Sequence, residues 1–382
     1  MKKIRVFFID ANNNTPQHNY PLIETLQSFS NIEINYFSVL YSNITDFYDQ
    51  NYDVKTLSFF FNFVSRIKNP FLRRFIKIFS HPIANIWLLL KIMKDKPDII
   101  HYSWLAIPFV DYFFIKIFKM LGFRIVLTQH DYFFHDKTKL RLFEKKIFQI
   151  ADKIICLSDF IKNQFPEKIS NKISIIEHGN PYEKEKEYYS KKIIRKQDSK
   201  FKILFLGNIK PYKGIELLLD SVSYLVNEQK MDNVQLRIAG KCKPDYCEKI
   251  KKLIQTKDLS NYIKFKGTFL DYDKLFEYLI NTDIGVLPYL EATQSGLPYI
   301  FASLYKPMVI TNVGGLPEQV STKFTEIVES SFMEVANGIF KIKGKIENRK
   351  IKESDFDSFL EKHKWKDTVS QYVNLYQDLS AK

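Results

Sequence analysis

Residues 283–318, DIGVLPYLEATQSGLPYIFASLYKPMVITNVGGLPE, decide the fold. The apolar run Ile284 to Leu287 reads as a buried strand closed by Pro288. A polar loop from Glu291 to Ser295 follows, and Gly296 opens a helix running to Tyr305. Pro307 stops that helix, Met308 to Ile310 form the next strand, Gly314-Gly315 turn the chain, and Pro317-Glu318 start a further helix. Strand, loop, helix, strand, loop, helix is the repeat of a parallel sheet covered by helices. Ser295-Gly296 follows a strand and sits at a helix N-terminus, where free amides and the positive dipole end hold anions such as phosphate.

The same grammar extends upstream. Phe201 to Leu206 is a buried strand, and GNIKPYKG (207–214) leads from it into a helix from Ile215 to Asn227. Strands near Leu236 to Ala239 and Ile263 to Lys266 complete this half, with helices near 245–256 and 272–281. The first half opens on the apolar strand IRVFFID, which empties into the turn-forming Asn12-Asn13-Asn14. A helix at 21–29 and a strand at 32–39 follow. Arg124 to Thr128 is a strand that delivers Gln129-His130-Asp131 to its C-terminal end, and a helix at 138–150 comes next. The expected architecture is α/β, two Rossmann-like parallel-sheet domains facing across a cleft that holds the ligand. Residues 1–182 form the first domain, 183–200 a glycine-free charged linker, 201–360 the second domain, and 361–382 a terminal helix.

Composition narrows the partners. The chain has 382 residues and a formal net charge of +14, which calls for an anionic partner. A nucleic-acid role is excluded by the lack of any helix-turn-helix, zinc-finger or RNP-like signature. Cys156, Cys242 and Cys247 read as reduced thiols of a cytosolic protein. Met1-Lys2-Lys3 leads straight into a strand, so no leader is expected, and the apolar runs are too short to span a bilayer. After Pro70, Phe71, Leu72, Phe75, Ile78 and Phe79 share one helix face, and Arg73, Arg74 and Lys77 another. Two readings stay open: a core helix with a solvated basic face, or a helix lying on an anionic membrane.

Several residues are candidates for chemistry. Lys210 and Lys213 lie near a helix start, where they oppose the dipole. A bound diphosphate supplies the reason for them, and two solvated surface lysines are the alternative. The spacing is not a Walker motif. His130, at a strand end, can hydrogen-bond a substrate hydroxyl or pass a proton. His18, His101, His135 and His178 read as structural, and no histidine pair has metal-ligand spacing. Asp271-Tyr272-Asp273 and Asp355-Phe356-Asp357 match a metal-nucleotide pattern, but both begin helices and read as caps. Glu318 is either a dipole acid or an acceptor for a sugar hydroxyl.

Taken together, GNIKPYKG, LPYLEATQSG and KPMVITNVGGLPEQV resemble the retaining nucleotide-sugar glycosyltransferases of the GT-B fold, family 4, in a branch marked by ATQSG. DIIHYSW, VLTQHD and EHGNPY agree more loosely, and Trp365 resembles the family's terminal helix that crosses back to the first domain. The resemblance implies a nucleotide-diphosphate-sugar donor bound by Gly207, Asn208, Lys210, Lys213, Thr293, Ser295, Gly296, Leu297 and Glu318. It implies His130 and Asp131 as catalytic residues, a saccharide or lipid-linked acceptor, retention of configuration and no metal or cofactor. It further implies a cytoplasmic enzyme of cell-surface or exopolysaccharide synthesis. Such an enzyme can sit on the inner face of the plasma membrane through Arg73, Arg74 and Lys77. The alternative is an inactive GT-B subunit acting as a membrane-associated partner. Three departures stand out. The positions of the family's paired glutamates fall at Thr293 and Phe301, a frequent arginine is Asn208, and the first loop carries asparagines in place of glycines.

Overall fold

The computed structural model describes residues 3–39, 46–58, 67, 69–130, 142–195 and 198–381. Asp131, His135 and the side chain of Arg74 fall outside the described residues. The chain divides into two compact units, Met1–Gly179 with His363–Lys382, and Asn180–Lys362.

In the first unit, strands β1 (Ile4–Asp10), β2 (Ile32–Ser38), β3 (Thr56–Ser58), β4 (Ile99–Trp104), β5 (Arg124–Gln129), β6 (Lys153–Cys156) and β7 (Ile173–Ile175) form one sheet. Its order is β3-β2-β1-β4-β5-β6-β7, and every pairing is parallel. The helices are α1 (Pro16–Gln27), α2 (Asp46–Asn51), α3 (Pro70–Asp95), α4 (Pro108–Met120), α5 (Leu142–Ile150) and α6 (Asp159–Lys162). β1 is apolar between Arg5 near its start and Asp10 at its end because both its faces are covered. Phe7 and Ile9 pack with Ala84, Leu88 and Ile92 of α3 and Ile115 and Phe118 of α4. Phe8 faces the other way, against Tyr36 and His101. The helix expected at 21–29 begins earlier, with Pro16 in its first turn and Pro21 inside it.

α3 joins several short apolar runs into one long helix. Its 26 residues are started by Asn69, whose side chain accepts from the amides of Phe71 and Leu72. Lys96 ends it in a left-handed cap. Phe71–Asp95 is long and apolar enough to span a membrane by length and composition. Basic and polar residues interrupt its apolar runs in sequence but not its apolar face in space.

The second unit pairs β8 (Phe201–Leu206), β9 (Val234–Ala239), β10 (Ile263–Lys266), β11 (Ile284–Leu287), β12 (Met308–Thr311) and β13 (Thr325–Val328) in the order β10-β9-β8-β11-β12-β13. Its helices are α7 (Glu183–Lys192), α8 (Ile215–Asn227), α9 (Pro244–Thr256), α10 (Tyr272–Ile280), α11 (Leu297–Ser303), α12 (Phe332–Glu347) and α13 (Glu353–Lys362). The stretch expected as a charged linker thus holds a helix. Two residues four apart, Glu185 and Tyr189, are its buried side, and Tyr189 stacks on Phe276 at 4.2 Å. Asp271 caps α10 by accepting the Lys274 amide at 2.7 Å, and Asp355 accepts the Lys352 amide at 3.0 Å. Both acids therefore serve helix starts, as expected.

The last helix, α14 (Trp365–Ser380), belongs to the first unit. It covers the face of the sheet that α3 and α4 do not, burying Trp365, Val369, Tyr372, Val373 and Tyr376. Each such burial stabilises by roughly 1.5–3 kcal/mol. Tyr376 Oη lies 2.6 Å from His101 Nδ1, and Thr128 Oγ1 lies 2.8 Å from the other ring nitrogen. His101 is therefore structural. Gly179 is required here, because a Cβ would sit 2.5 Å from the Trp365 ring.

Candidate active site

In the second unit the strand order reverses between β8 and β11, which are direct neighbours. Ligands of open parallel sheets bind beyond the strand ends at such a reversal. The two loops that leave there are GNIKPYKG after β8 and PYLEATQSG after β11, and they are stitched together. The Leu290 amide donates to the Tyr212 carbonyl at 2.8 Å. Gly214 has φ +69°, and a Cβ on it would lie 1.7 Å from the Pro288 carbonyl oxygen, so no other residue fits. Gly207 faces Leu297, whose Cδ1 lies 3.7 Å from where its Cβ would be. The half-buried Lys213 holds its ammonium 3.6 Å over the ring of the fully buried Tyr289. That cation–π contact fixes a positive charge between the loops. Lys210 and Asn208 are exposed on the same loop.

Two expected features differ. The amides around Gly296 are less free than a helix start suggests. Ser295 N–H donates to Gln319 Oε1 at 2.7 Å, and Leu297 N–H donates to Ser295 Oγ at 3.3 Å. α11 has only 7 residues, so its dipole is small, and Pro317–Gln319 is one 3-10 turn in place of a helix. Glu318 is exposed on that turn, and Thr293 is buried. Gln319 was not singled out from the sequence, since nothing in local spacing marks a side chain that reaches 24 residues back. The absence of a glutamate at Phe301 has a packing reason. Phe301 is fully buried, and its ring fills the space above Gly285, 2.6 Å from where a Cβ would lie. A carboxylate there would be buried against the sheet.

In the first unit the reversal falls between β1 and β4. Asp10 ends β1 fully buried, and its carboxylate accepts from the amides of Asn12 and Asn14 and from Asn19 Nδ2 at 2.8 Å. Burial pushes its pKa up to about 6, opposed by those backbone bonds. The three asparagines are therefore a cradle for Asp10 and not only a turn. Asn13 takes the left-handed φ of +47° and donates to the Val39 carbonyl. Lys77, expected on the helix's basic face, instead turns inward to bond Asn12 Oδ1.

His130 follows β5, buried and stacked flat on Trp104 at 4.5 Å. Its neighbour His18 is edge-on at 5.3 Å, and His18 meets His178 at 4.3 Å and Trp365 at 5.4 Å. Nε2 of His130 and both ring nitrogens of His18 have no hydrogen-bond partner among the described residues. His18 was read from the sequence as structural, yet it stands at the centre of this group. Burial, then the neighbouring imidazoles, lowers His130 to about 3 and His18 well below its usual value. An imidazole so weakly basic is a poor proton acceptor near neutrality. As a neutral ring His130 can give or take a hydrogen bond. Among the described residues no group of three or more His, Cys, Asp or Glu is arranged to hold a metal ion. The surface hollow between Met93, Lys96, Leu121, Arg124 and Ser380 lies at the opposite, N-terminal edge of the first sheet, away from these residues.

The neutral histidines predict acid lability. In the unfolded chain each titrates near 6.5. In the fold, burial holds His178 at about 4, His101 and His130 at about 3, and His18 well below its usual value. The unfolded state binds more protons between these values, so stability falls as pH drops below about 6.5. Asp10 acts in the opposite sense, favouring the fold as pH falls from about 6 toward its unfolded value of 3.8. Four rings outweigh one carboxyl, so the net effect by about pH 5 is a loss of several kcal/mol. The melting midpoint followed by circular dichroism should drop by about 10 °C between about pH 7.5 and pH 5. An unchanged midpoint would contradict a buried neutral cluster.

Comparison with known proteins agrees with this geometry. Residues 46–183 match the family Glycosyltransferase Family 4, and residues 200–341 match Glycosyl transferases group 1. Two uncharacterized glycosyltransferases of Methanocaldococcus jannaschii are 24% identical over 63% of this chain and 29% identical over 65%. Those matches span 64% and 62% of the relatives' own lengths. The crystal structure of Anabaena Alr3699/HepE in complex with UDP-glucose aligns with a TM-score of 0.69 at 13% identity, covering 98% of this chain and 100% of that one. At that identity the likeness shows the fold, which is GT-B.

Proposed function

We propose that this chain, built of two glycosyltransferase domains, moves a sugar from a nucleotide-diphosphate donor to a saccharide acceptor carried on a lipid. The observation that carries the reading is the stitching of GNIKPYKG to PYLEATQSG at the strand reversal, with Lys213 held over Tyr289 between them. A diphosphate there meets Lys213, Lys210 and the Gly207 and Gly296 backbone. The departing diphosphate is stabilised by lysine charge, in a site already shaped before the reaction. No metal is needed for that step. Gln319 is displaced from the Ser295 amide if that amide joins the phosphate. The first unit takes the acceptor, and His130 hydrogen-bonds a sugar hydroxyl as a neutral ring. Transfer retains configuration, the acceptor hydroxyl attacking on the face the diphosphate leaves. The setting is cell-surface polysaccharide synthesis by a cytoplasmic protein at the membrane periphery.

One observation favours a second reading, an inactive partner subunit: Phe301 closes the position where the resembling family carries a glutamate. Donor binding is the first test. A thermal-shift panel of UDP-, GDP- and ADP-sugars should single out one nucleotide, since a ligand at a hundred times its Kd adds about 2.7 kcal/mol to native stability. No shift with any of them would contradict both donor binding and transfer.

A further inference from the structure

The outer surface of α3 and α4 is apolar over its whole length. On α3, Phe71, Phe75, Phe79, Ile83, Ile86, Leu90 and Met93 are exposed at spacings of three and four, a stripe about 33 Å long. Phe71 is 88% exposed, and Leu90 64%. On α4, Phe109, Phe113, Ile117 and Met120 make a second stripe, with Met120 at 78%. The two helices pack on the same side of the sheet, sharing one core through Ala84, Leu88, Ile92, Ile115 and Phe118. Their outward stripes therefore belong to one surface of the first unit. Monomeric proteins rarely expose so large a contiguous apolar area.

The charges around it point to what covers it. Helices α3, α4 and α5 carry nine Lys or Arg and three carboxylates. Asp111 and Glu144 are buried, and Asp95 is paired with Lys91 at 2.6 Å. From Pro70 to Lys94 there is no acidic residue at all. Arg73, Lys94, Lys116 and Lys145 are exposed beside the stripes. A long apolar stripe flanked by cations alone is the pattern of a helix lying in an anionic lipid interface.

Spanning is ruled out by the helix's inner side. Ala84, Leu88 and Ile92 are fully buried against the sheet. His81 Nε2 lies 2.6 Å from Asp111 Oδ1, whose other oxygen accepts the amides of Ala106 and Ile107. Crossing a bilayer would tear out this core and strand a buried polar network in hydrocarbon.

We propose that α3 and α4 together form a platform that lies flat on an anionic lipid bilayer. The platform extends the surface anticipated from the sequence to a second helix, and it is independent of the transfer reading. Lys77, bonded to Asn12, takes no part.

The test is co-sedimentation of the full chain, without donor, on vesicles of equal parts phosphatidylglycerol and phosphatidylcholine, and on phosphatidylcholine alone. Wild type should bind the anionic vesicles at least tenfold more tightly than the neutral ones. The variant Phe75→Glu with Phe113→Glu should lose at least tenfold, with its circular dichroism spectrum and melting midpoint kept, since both sites are exposed. A Lys94→Glu, Lys116→Glu variant, leaving the apolar stripes intact, should lose affinity for anionic vesicles only. Failure of the wild type to sediment, or equal binding by the Phe variants, overturns the proposal. So does a concentration-dependent dimer in ultracentrifugation that the Phe variants abolish, because a second copy would then cover the surface.

Discussion

Replacing Lys213 with alanine should lower turnover about tenfold or more, since one charged contact to a diphosphate is worth roughly 1.5–3 kcal/mol. The charge matters most when the sugar–phosphate bond breaks and negative charge builds on the leaving group. The loss should therefore fall on kcat more than on KM. Lys213 is placed for this. Its ammonium rests 3.6 Å above the Tyr289 ring, and the following Gly214 lets the loop press onto Pro288. Folding should change little, because the side chain is only half-buried on a loop. Lys213→Arg keeps the charge and should recover part of the rate. Steady-state kinetics with saturating donor give the result directly. Unchanged turnover in Lys213→Ala would remove the phosphate assignment.

A second large loss is expected at His130. His130→Ala should bind the free nucleoside diphosphate within about twofold of wild type and transfer sugar at least about tenfold more slowly. The separation follows from where the residues sit, His130 in the first unit and the phosphate loops in the second. His130→Gln, which keeps a neutral hydrogen-bonding group, should do better than alanine if the ring acts without titrating. The low pKa, about 3, makes that distinction a sharp one. Calorimetry with the diphosphate beside a transfer assay decides both halves. Weakened nucleotide binding or normal transfer would each contradict the assignment.

Much of the fold was legible because buried parallel strands are written as mostly apolar runs. Ile4–Asp10, Phe201–Leu206 and Met308–Thr311 are all of this kind. The GNIKPYKG loop was legible for a different reason: glycines between a strand and a helix mark places where backbones must meet, and Gly214 meets Pro288. What escaped were features made by long reach. The helix Glu183–Lys192 reads as solvated charge until Tyr189 finds Phe276. Gln319 on Ser295 and the gathering of His130, His178 and Trp365 around His18 join positions far apart in the chain. Lys77 shows the same lesson in reverse. Helical periodicity put it on a basic face, but a single hydrogen bond to Asn12 turns it inward. The extent of the apolar surface was also hidden, because α4 looks like an ordinary core helix until its outer side is found bare.

The most direct measurement is release of nucleoside diphosphate from the donor singled out by thermal shift, in the presence of a lipid-linked saccharide acceptor. A glycosyltransferase should release it well above the enzyme-free rate, with Lys213→Ala and His130→Ala both impaired and both folded. Donor binding without any release, or release equal in wild type and both variants, would contradict it.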